Sequence, residues 1–116
     1  MKILGIGVDI IKNERIKNSI KNKKFIIRSF TKNEIEIAKK IQKKHNFYAK
    51  RFAAKEALAK ALGLGFRQNL NFKDIEILND KNGKPYYRPS NKLNNLIKKR
   101  FGLKKFNLFL SISDEK

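Results

Sequence analysis

The feature that most constrains this chain is a long helical pattern that runs from Asn46 to Leu62 and stops before Gly63 and Gly65. Glycine after the last apolar position is the usual C-terminal signal of a helix. At about 100° per residue, one side of this helix carries an apolar stripe that is typical of a face packed on a core. The stripe consists of Phe47, Ala54, Leu58, Ala61 and Leu62. The rest of the chain must therefore supply a surface that covers this stripe.

The opposite side of the helix is unusual for a solvated surface, because small residues surround one carboxylate and one amine. Ala49 and Ala53 lie beside Glu56 and Lys60, with Phe52 at the edge. Such small side chains allow another surface to approach closely. Two interpretations stay open: a ligand site, or an exposed Glu56–Lys60 ion pair four residues apart, which is worth about 0.3–0.5 kcal/mol.

A second carboxylate, Asp9, stands near the end of a predicted apolar strand over residues 3–11, shortly after Gly5 and Gly7. A charge at such a position is costly unless it meets a cation or hydrogen-bond donors. An Asp at a strand end and a Glu in a helix can together hold Mg²⁺, which binds few protein carboxylates and fills its other positions with water and phosphate oxygens. The alternative is an aspartate that caps a local turn, and the pattern does not decide between the two.

The remaining patterns predict an α+β fold in which helices pack on a mostly antiparallel sheet. Thr31 and Glu34 form a capping-box signature for a helix that continues to about Lys44. The other predicted elements are a basic helix over Lys12–Lys21, hairpin strands over Phe72–Leu78 and Tyr86–Arg88, a helix from Ser90 to about Gly102, and a last strand over Phe106–Ser113. No linker or repeat interrupts this order, so we expect one domain over residues 1–116.

The net positive charge of the chain indicates which kind of molecule it binds. The chain has 116 residues with 29 Lys+Arg against 10 Asp+Glu, a net charge of +19, and such a charge attracts polyanions, nucleic acids among them. Lysine dominates, with 23 Lys against 6 Arg, although Arg is the residue suited to bidentate phosphate contacts. Because Lys, Asn and Ile have A/T-rich codons, the composition of the coding sequence explains part of this charge equally well.

Composition also excludes several classes of site. Without cysteine there is no disulfide, thiolate nucleophile or Cys-based zinc site, and His45 is the only histidine. The apolar runs are far shorter than the ~18 residues of a membrane span. An acidic residue and two glycines interrupt the N-terminal apolar stretch, which argues against a signal peptide. We therefore expect a soluble, cytoplasmic protein that has no membrane partner.

Two motifs connect the chain to a known family. Residues 5–10 read Gly-Ile-Gly-Val-Asp-Ile, and residues 51–63 read Arg-Phe-Ala-Ala-Lys-Glu-Ala-Leu-Ala-Lys-Ala-Leu-Gly. In both motifs, and along essentially its whole length, the chain resembles the holo-[acyl-carrier-protein] synthases, the small bacterial type of 4′-phosphopantetheinyl transferase. Lesser matches are Phe30-Thr31 with Glu34, Asp74–Ile77 and Gly83–Pro85. The resemblance implies the 4′-phosphopantetheinyl transferase fold, a mostly antiparallel sheet packed on a long central helix.

The activity that the resemblance implies is transfer of 4′-phosphopantetheine from coenzyme A to a serine of apo acyl carrier protein, in the service of fatty-acid synthesis. The second product is adenosine 3′,5′-bisphosphate. The implied cofactor is Mg²⁺, with Asp9 and Glu56 as its ligands, and the implied catalytic residues are Glu56 and Lys60. The implied coenzyme A-binding residues are Arg51, Lys60, Gly63 and Pro85.

The resemblance also implies an acidic partner for the positive charge. In this family the acidic acyl carrier protein docks on the basic helix after the first strand, and the matching docking residues are Arg15, Lys21 and Arg28. Complementary charge of this kind mainly raises the association rate and weakens with salt. Family members are homotrimers with active sites at subunit interfaces, so we expect a homotrimer here.

The C-terminus departs from the family pattern in two respects. Many members have a histidine after a Ser-x-Ser motif, whereas Asp114 follows the motif at residues 111–113 here. Deprotonation of the acceptor serine then falls to a Mg²⁺-bound water, to Glu56 or to Asp114, and the sequence does not choose among them. The family also continues with one more alanine-rich strand, so we expect either a natively short protein or an incomplete chain ending at Lys116.

Two other functions remain as alternatives to the magnesium-dependent transferase. A basic nucleic-acid-binding module, such as a ribosome-associated protein, would explain the charge, although the scarcity of Arg and the alanine-flanked Glu56 count against it. A degenerate family member that only binds carrier protein would explain the short C-terminus.

Overall fold

The structure, a computed structural model, describes residues 3–7, 17–64 and 70–112, and a long helix is its central element. Over these residues the helices are α1 (Lys23–Ser29), α2 (Lys32–Lys39), α3 (Lys44–Ala61) and α4 (Asn91–Phe101). A 3₁₀ turn at Phe72–Asp74 leads into an antiparallel hairpin of β1 (Ile75–Asn79) and β2 (Pro85–Pro89). The predicted α+β class is confirmed, and the sheet in the described part of the chain has two strands.

Helix α3 forms where the sequence predicts it, since its bounds lie within two residues of Asn46–Leu62. Its alanine-rich composition favours the helical state. At its C-terminal end Gly63 adopts φ +66°, a left-handed conformation that glycine tolerates. The Gly63 and Leu64 amides then donate to the carbonyls of Lys60 and Ala59, which satisfies two of the last carbonyls of the helix.

The two shorter helices before α3 match the predictions less closely. Thr31 and Glu34 form the predicted capping box of α2, but the helix ends at Lys39 rather than near Lys44. It ends early because the Lys40 amide bonds back to Ile37, three residues earlier, in a tightened last turn. Helix α1 has no counterpart among the predictions, although Asn22 caps it by accepting from the Lys24 amide at 2.9 Å.

Part of the predicted basic helix over Lys12–Lys21 is confirmed, since residues 17–19 are helical. The predicted residues 12–16 lie outside the described part of the chain.

The hairpin and α4 follow the predictions within a few residues. The register pairs Ile75 with Pro89 and Asn79 with Pro85. The first strand begins three residues later than predicted, because Phe72–Asp74 closes a 3₁₀ turn before it. Ser90 caps α4 by accepting from the Leu93 amide at 3.1 Å, as its position predicts.

The two predicted outer strands are wrong over their described residues. Residues 3–7 and 106–112 do not join a sheet. An apolar or alternating pattern predicts that one face is buried, but it does not specify a strand partner. The remainder of these two predictions, residues 8–11 and Ser113, lies outside the described part.

Two hydrophobic clusters meet along α3. The leucine core surrounds the C-terminal half of the helix and contains Leu58, Leu62, Leu70, Ile75, Leu93 and Ile97. The aromatic core surrounds the N-terminal half and contains Phe30, Ala38, Tyr48 and Ala49, with Phe25 and Phe52 packed against it. Helix α3 is thus the shared wall of both cores. Within the ranges described above, no helix combines the length and apolarity that a membrane crossing requires.

Candidate active site

Glu56 and Lys60 lie one turn apart near the C-terminal end of α3, as the sequence predicts. Glu56 is half-buried, whereas Lys60 is exposed. Residues four apart on a helix share a side, so the carboxylate and the ammonium group project from the same part of the surface. A carboxylate and a primary amine so placed can bind a cation and a phosphate respectively.

The chain does approach α3 closely near this pair, through the backbone of residues 3–7. A Cβ atom built on Gly7 would overlap the Ala57 carbonyl, and one built on Gly5 would overlap the Ala61 carbonyl. Both positions therefore require glycine, because any larger residue would push the segment off the helix. The predicted close approach is confirmed, but it uses Ala57 and Ala61.

The predicted sides of α3 need a correction at two alanines. Ala49 lies seven residues before Glu56, on the same side of the helix, but it is 3% exposed and packs in the aromatic core rather than beside a ligand site. Ala61 is only half-buried and meets the Gly5 backbone, so it is not a core residue as predicted. Ala49 is buried because a second core covers the N-terminal half of the helix. Residue spacing on one helix does not reveal such a core.

Three residues of the predicted site and docking surface lie outside the described part of the chain: Asp9, Arg15 and Asp114. Glu56 is the described member of the predicted magnesium pair. Among the described residues, no group of three or more His, Cys, Asp or Glu side chains could hold a metal ion. A two-carboxylate Mg²⁺ site does not need such a group, because water and phosphate oxygens complete its coordination.

The predicted coenzyme A residues fall into two separate regions of the protomer. Gly63 is exposed just beyond Lys60, and its carbonyl accepts from the Arg100 guanidinium at 3.4 Å. Pro85 is half-buried at the start of β2. Arg51 is nine residues before Lys60, which at about 100° per residue puts the two on opposite sides of the helix.

Arg51 is buried rather than solvent-facing. Its guanidinium lies 4.3 Å from the centroid of the Phe47 ring, and burial lowers its pKa, with Glu34 acting in the opposite direction. Its Nε atom is buried without a hydrogen-bond partner in the described structure. Arg51 therefore packs as part of the wall of the aromatic core.

The described docking residues form an exposed basic surface at α1. Lys21 precedes the helix, Arg28 lies in its last turn, and both are exposed. Lys23 and Lys24 are exposed between them, and Ile27 leaves 60% of its surface in solvent. We call this the α1 surface. Its exposed cations suit the carboxylates of an acidic protein, and Ile27 suits a small apolar patch on the same partner.

The residues that the sequence interpretation missed are Lys55 and Glu34, which form a fully buried ion pair with their charged atoms 2.7 Å apart. The Lys55 ammonium also donates to the carbonyls of Ser29 at 2.8 Å and Phe72 at 3.0 Å. Burial lowers the pKa of Lys55, and Glu34 opposes that shift. The spacing places Lys55 one turn before the buried Leu58 and Ala59, but a lysine is normally a surface residue, so this spacing alone does not identify the pair.

An apolar groove of about 600 Å³ lies beside Glu56 and Lys60. Its wall on one side is formed by Ala57 and Ala61, and the wall on the other by residues 105–109. Several large apolar side chains at this groove or next to it remain exposed: Ile3 at 68%, Ile6 at 78% and Phe109 at 79%. We call this the open groove. Exposed apolar patches of this kind mark interaction sites.

The half-buried Tyr87 connects the hairpin that carries Pro85 to α3. The Tyr87 hydroxyl donates to the Ala54 carbonyl at 2.6 Å. Burial raises the pKa of Tyr87 to about 12, so the hydroxyl keeps its proton throughout the physiological range. The strand and the helix that carry the candidate site are therefore held in one arrangement.

Comparison with known proteins points to one family. A sequence model described as the 4′-phosphopantetheinyl transferase superfamily matches residues 5–111. A holo-[acyl-carrier-protein] synthase of Pelagibacter ubique is 61% identical over 116 residues, covering 100% of this chain and 91% of that protein. The crystal structure of a holo-[acyl-carrier-protein] synthase from Neisseria meningitidis is 37% identical with a TM-score of 0.88, covering 99% of this chain and 91% of that one. A holo-(acyl-carrier-protein) synthase from Bacillus anthracis, solved in complex with CoA (3′,5′-ADP), is 44% identical with a TM-score of 0.70, covering 76% of each chain.

Proposed function

Because the chain belongs to the 4′-phosphopantetheinyl transferase superfamily, we propose that its active site lies at the C-terminal half of α3, around Glu56 and Lys60. The protein transfers 4′-phosphopantetheine from coenzyme A to a serine of apo acyl carrier protein, a step that serves fatty-acid and lipid synthesis. The observation that carries this function is the 61% identity, along the whole chain, to a holo-[acyl-carrier-protein] synthase.

Mg²⁺ is the proposed cofactor, held by Glu56 and Asp9. The donor set fits, because carboxylates are hard oxygen ligands of the kind Mg²⁺ takes. The described backbone supports the pair as well, because Gly7 packs on Ala57, the neighbour of Glu56. When bound, Mg²⁺ offsets negative charge on the phosphate oxygens.

Lys60 is the proposed partner of the coenzyme A phosphates. Its ammonium group is exposed at the end of α3, where it can donate to phosphate oxygens. Gly63 leaves room beside it, because a side chain there would crowd the Arg100 guanidinium. Pro85, half-buried at the start of β2, is a further proposed coenzyme A residue. Arg51 is the remaining proposed coenzyme A residue, but it is buried against Phe47 on the opposite side of α3, so the geometry of the protomer supports Lys60 and not Arg51.

The proposed partner is the acidic acyl carrier protein, and its proposed docking residues are Lys21 and Arg28 on the α1 surface, with Arg15. The proposed assembly is a homotrimer in which a neighbouring subunit covers the open groove. The exposed Ile6 and Phe109 support this assembly, because a second protein surface would remove them from water. A cytoplasmic location is consistent with both substrates.

The activity is tested by mass spectrometry of apo acyl carrier protein after incubation with the protein, coenzyme A and Mg²⁺. We expect the carrier mass to increase by one phosphopantetheine group. A carrier in which alanine replaces the acceptor serine is the control and should keep its mass. An unmodified carrier together with tight RNA binding would contradict the proposal and favour the nucleic-acid-binding alternative.

A further inference from the structure

Lys55 is buried more completely than a lysine normally is, and all of its hydrogen-bonding capacity is used. Its side chain is 0% exposed, and lysine almost never reaches this state unless paired. An ammonium group has three N–H donors, and the three acceptors are Glu34 at 2.7 Å, Ser29 at 2.8 Å and Phe72 at 3.0 Å. The ammonium group therefore has a single orientation.

Glu34 likewise makes three hydrogen bonds. Besides Lys55, its carboxylate accepts from the Thr31 amide at 2.9 Å and from the Ile77 amide at 3.2 Å. One carboxylate thus holds the start of α2 and the centre of β1, while its lysine partner holds the end of α1 and the turn before β1. The pair fixes four elements against α3.

The bond from Lys55 to Ser29 has a specific consequence for the two functional surfaces. Ser29 is the last residue of α1, and Arg28 of the α1 surface is its neighbour. Lys55 is the neighbour of Glu56 in α3. A single hydrogen bond therefore joins the residue next to a docking cation to the residue next to the proposed metal ligand.

We propose that Lys55 is a positioning residue that fixes the distance between the α1 surface and Glu56, and so sets where the acceptor serine of a docked carrier protein arrives. This inference rests on the proposed docking and metal residues. Misplacement of a reacting group by about 1 Å can cost about 100-fold in rate, so a short, buried anchor between the two surfaces has a direct effect on turnover. Coenzyme A binding does not depend on α1, and it is expected to change little.

The test separates positioning from simple loss of stability by means of three variants. Lys55→Met leaves Glu34 as an unpaired buried charge and destabilises the fold. Glu34→Leu with Lys55→Met removes both charges and so avoids an unpaired buried charge. It still leaves the Thr31 and Ile77 amides without their carboxylate acceptor, so we expect it to be less stable than the unmodified protein as well. Leu93→Ala in the leucine core is the destabilised control, because Leu93 is buried in α4 and belongs to no proposed binding surface.

Each variant is assayed for transfer to apo acyl carrier protein at a temperature where circular dichroism reports it folded. We expect Lys55→Met and the double variant to lose about tenfold to 100-fold in kcat and to show a higher KM for the carrier. KM for coenzyme A should stay within about twofold, as should every constant of Leu93→Ala.

The proposal is overturned if the double variant folds and turns over like Leu93→Ala, or if KM for coenzyme A rises as much as KM for the carrier. It is also overturned if neither Lys55 variant folds, because the pair is then required by the fold itself. Failure of the proposed function would look different, since the unmodified protein would not transfer the group at all.

Discussion

The two long sides of α3 differ in how completely this one chain covers them. On the side of Lys55 the helix is sealed by α1, α2 and the aromatic core, and a buried lysine finds three acceptors there. On the side of Ala57 and Ala61, the glycine backbone of residues 3–7 lies on the helix and the open groove follows, within the part of the chain that the structure describes.

This difference separates the part of the molecule that maintains the fold from the part that meets other molecules. A buried charge must be paired within the chain, because an unpaired one costs several kcal/mol, as an order of magnitude. Exposed apolar side chains carry no such requirement in one protomer, and a coenzyme or a neighbouring subunit can cover them. The proposed catalytic residues lie at the border between the two sides.

The largest expected effect comes from Glu56 at that border. Glu56→Gln keeps the size of the side chain but removes the charge that would hold Mg²⁺, and transfer should fall by about 10²–10³-fold. Glu36→Gln is the matched control, because its carboxylate is exposed and pairs with Lys39 at 2.8 Å on the surface of α2. Rates measured across a Mg²⁺ titration test this. Near-normal turnover of Glu56→Gln at limiting Mg²⁺ would contradict the proposal that Glu56 is a Mg²⁺ ligand.

The next effect concerns the open groove. Phe109→Glu puts a charge where we expect a neighbouring subunit, so the assembly should dissociate, and transfer per protomer should fall by about tenfold or more. Ile27→Glu is the assembly control, because Ile27 is also exposed, at 60%, but lies on the α1 surface. Sedimentation mass against protein concentration is the measurement. An unchanged mass for Phe109→Glu, or a fully active monomer, would contradict the proposed trimer.

A smaller effect is expected at the α1 surface on the sealed side. Arg28→Glu should raise KM for acyl carrier protein about tenfold and leave KM for coenzyme A unchanged. The difference from the unmodified protein should shrink between about 50 and 200 mM salt, where the Debye length falls from ~14 to ~7 Å. Lys99→Glu on α4 changes the net charge equally and is the control. Equal effects of both variants would indicate bulk charge rather than docking.

The smallest effect is expected at Asp74, the last residue of the 3₁₀ turn before β1. Burial raises the pKa of this carboxyl, but hydrogen bonds from Asn71, Ser90 and Lys92 outweigh it and hold the pKa below its ordinary value of 3.8. The stabilisation is therefore present above pH 3.8 and is lost as the pH falls through the lower folded value. Asp74→Ala should cost about 1–2 kcal/mol at neutral pH, with transfer unchanged once the protein is folded.

Urea unfolding of Asp74→Ala and of the unmodified protein from pH 7 to pH 2 measures this difference. The two stabilities should converge at the acidic end. A constant difference over the whole range would mean that the charge of Asp74 contributes nothing.

Local signals were sufficient for much of the fold. The capping box at Thr31, the cap at Ser90 and the left-handed glycine after α3 each depend on residues within one turn of one another. The placement of Glu56 and Lys60 on one side of α3 was also predicted in this way, because the two residues are four apart on a helix. Helix α1 was missed although its Asn22 cap is equally local.

The features that local signals did not predict depend on contacts between distant parts of the chain. The sequence determined by itself the elements, their caps and the motif that identifies the family, since each depends on neighbouring residues. Only the tertiary structure decided that Lys55 is buried, because its partner Glu34 lies 21 residues away and a lysine on a helix is otherwise a surface residue. It alone also decided that Ala57 and Ala61 receive the glycine backbone, because a close approach depends on the path of another segment. The type of each residue limits which contacts are energetically favourable, and the packing of the whole chain determines which of these contacts form.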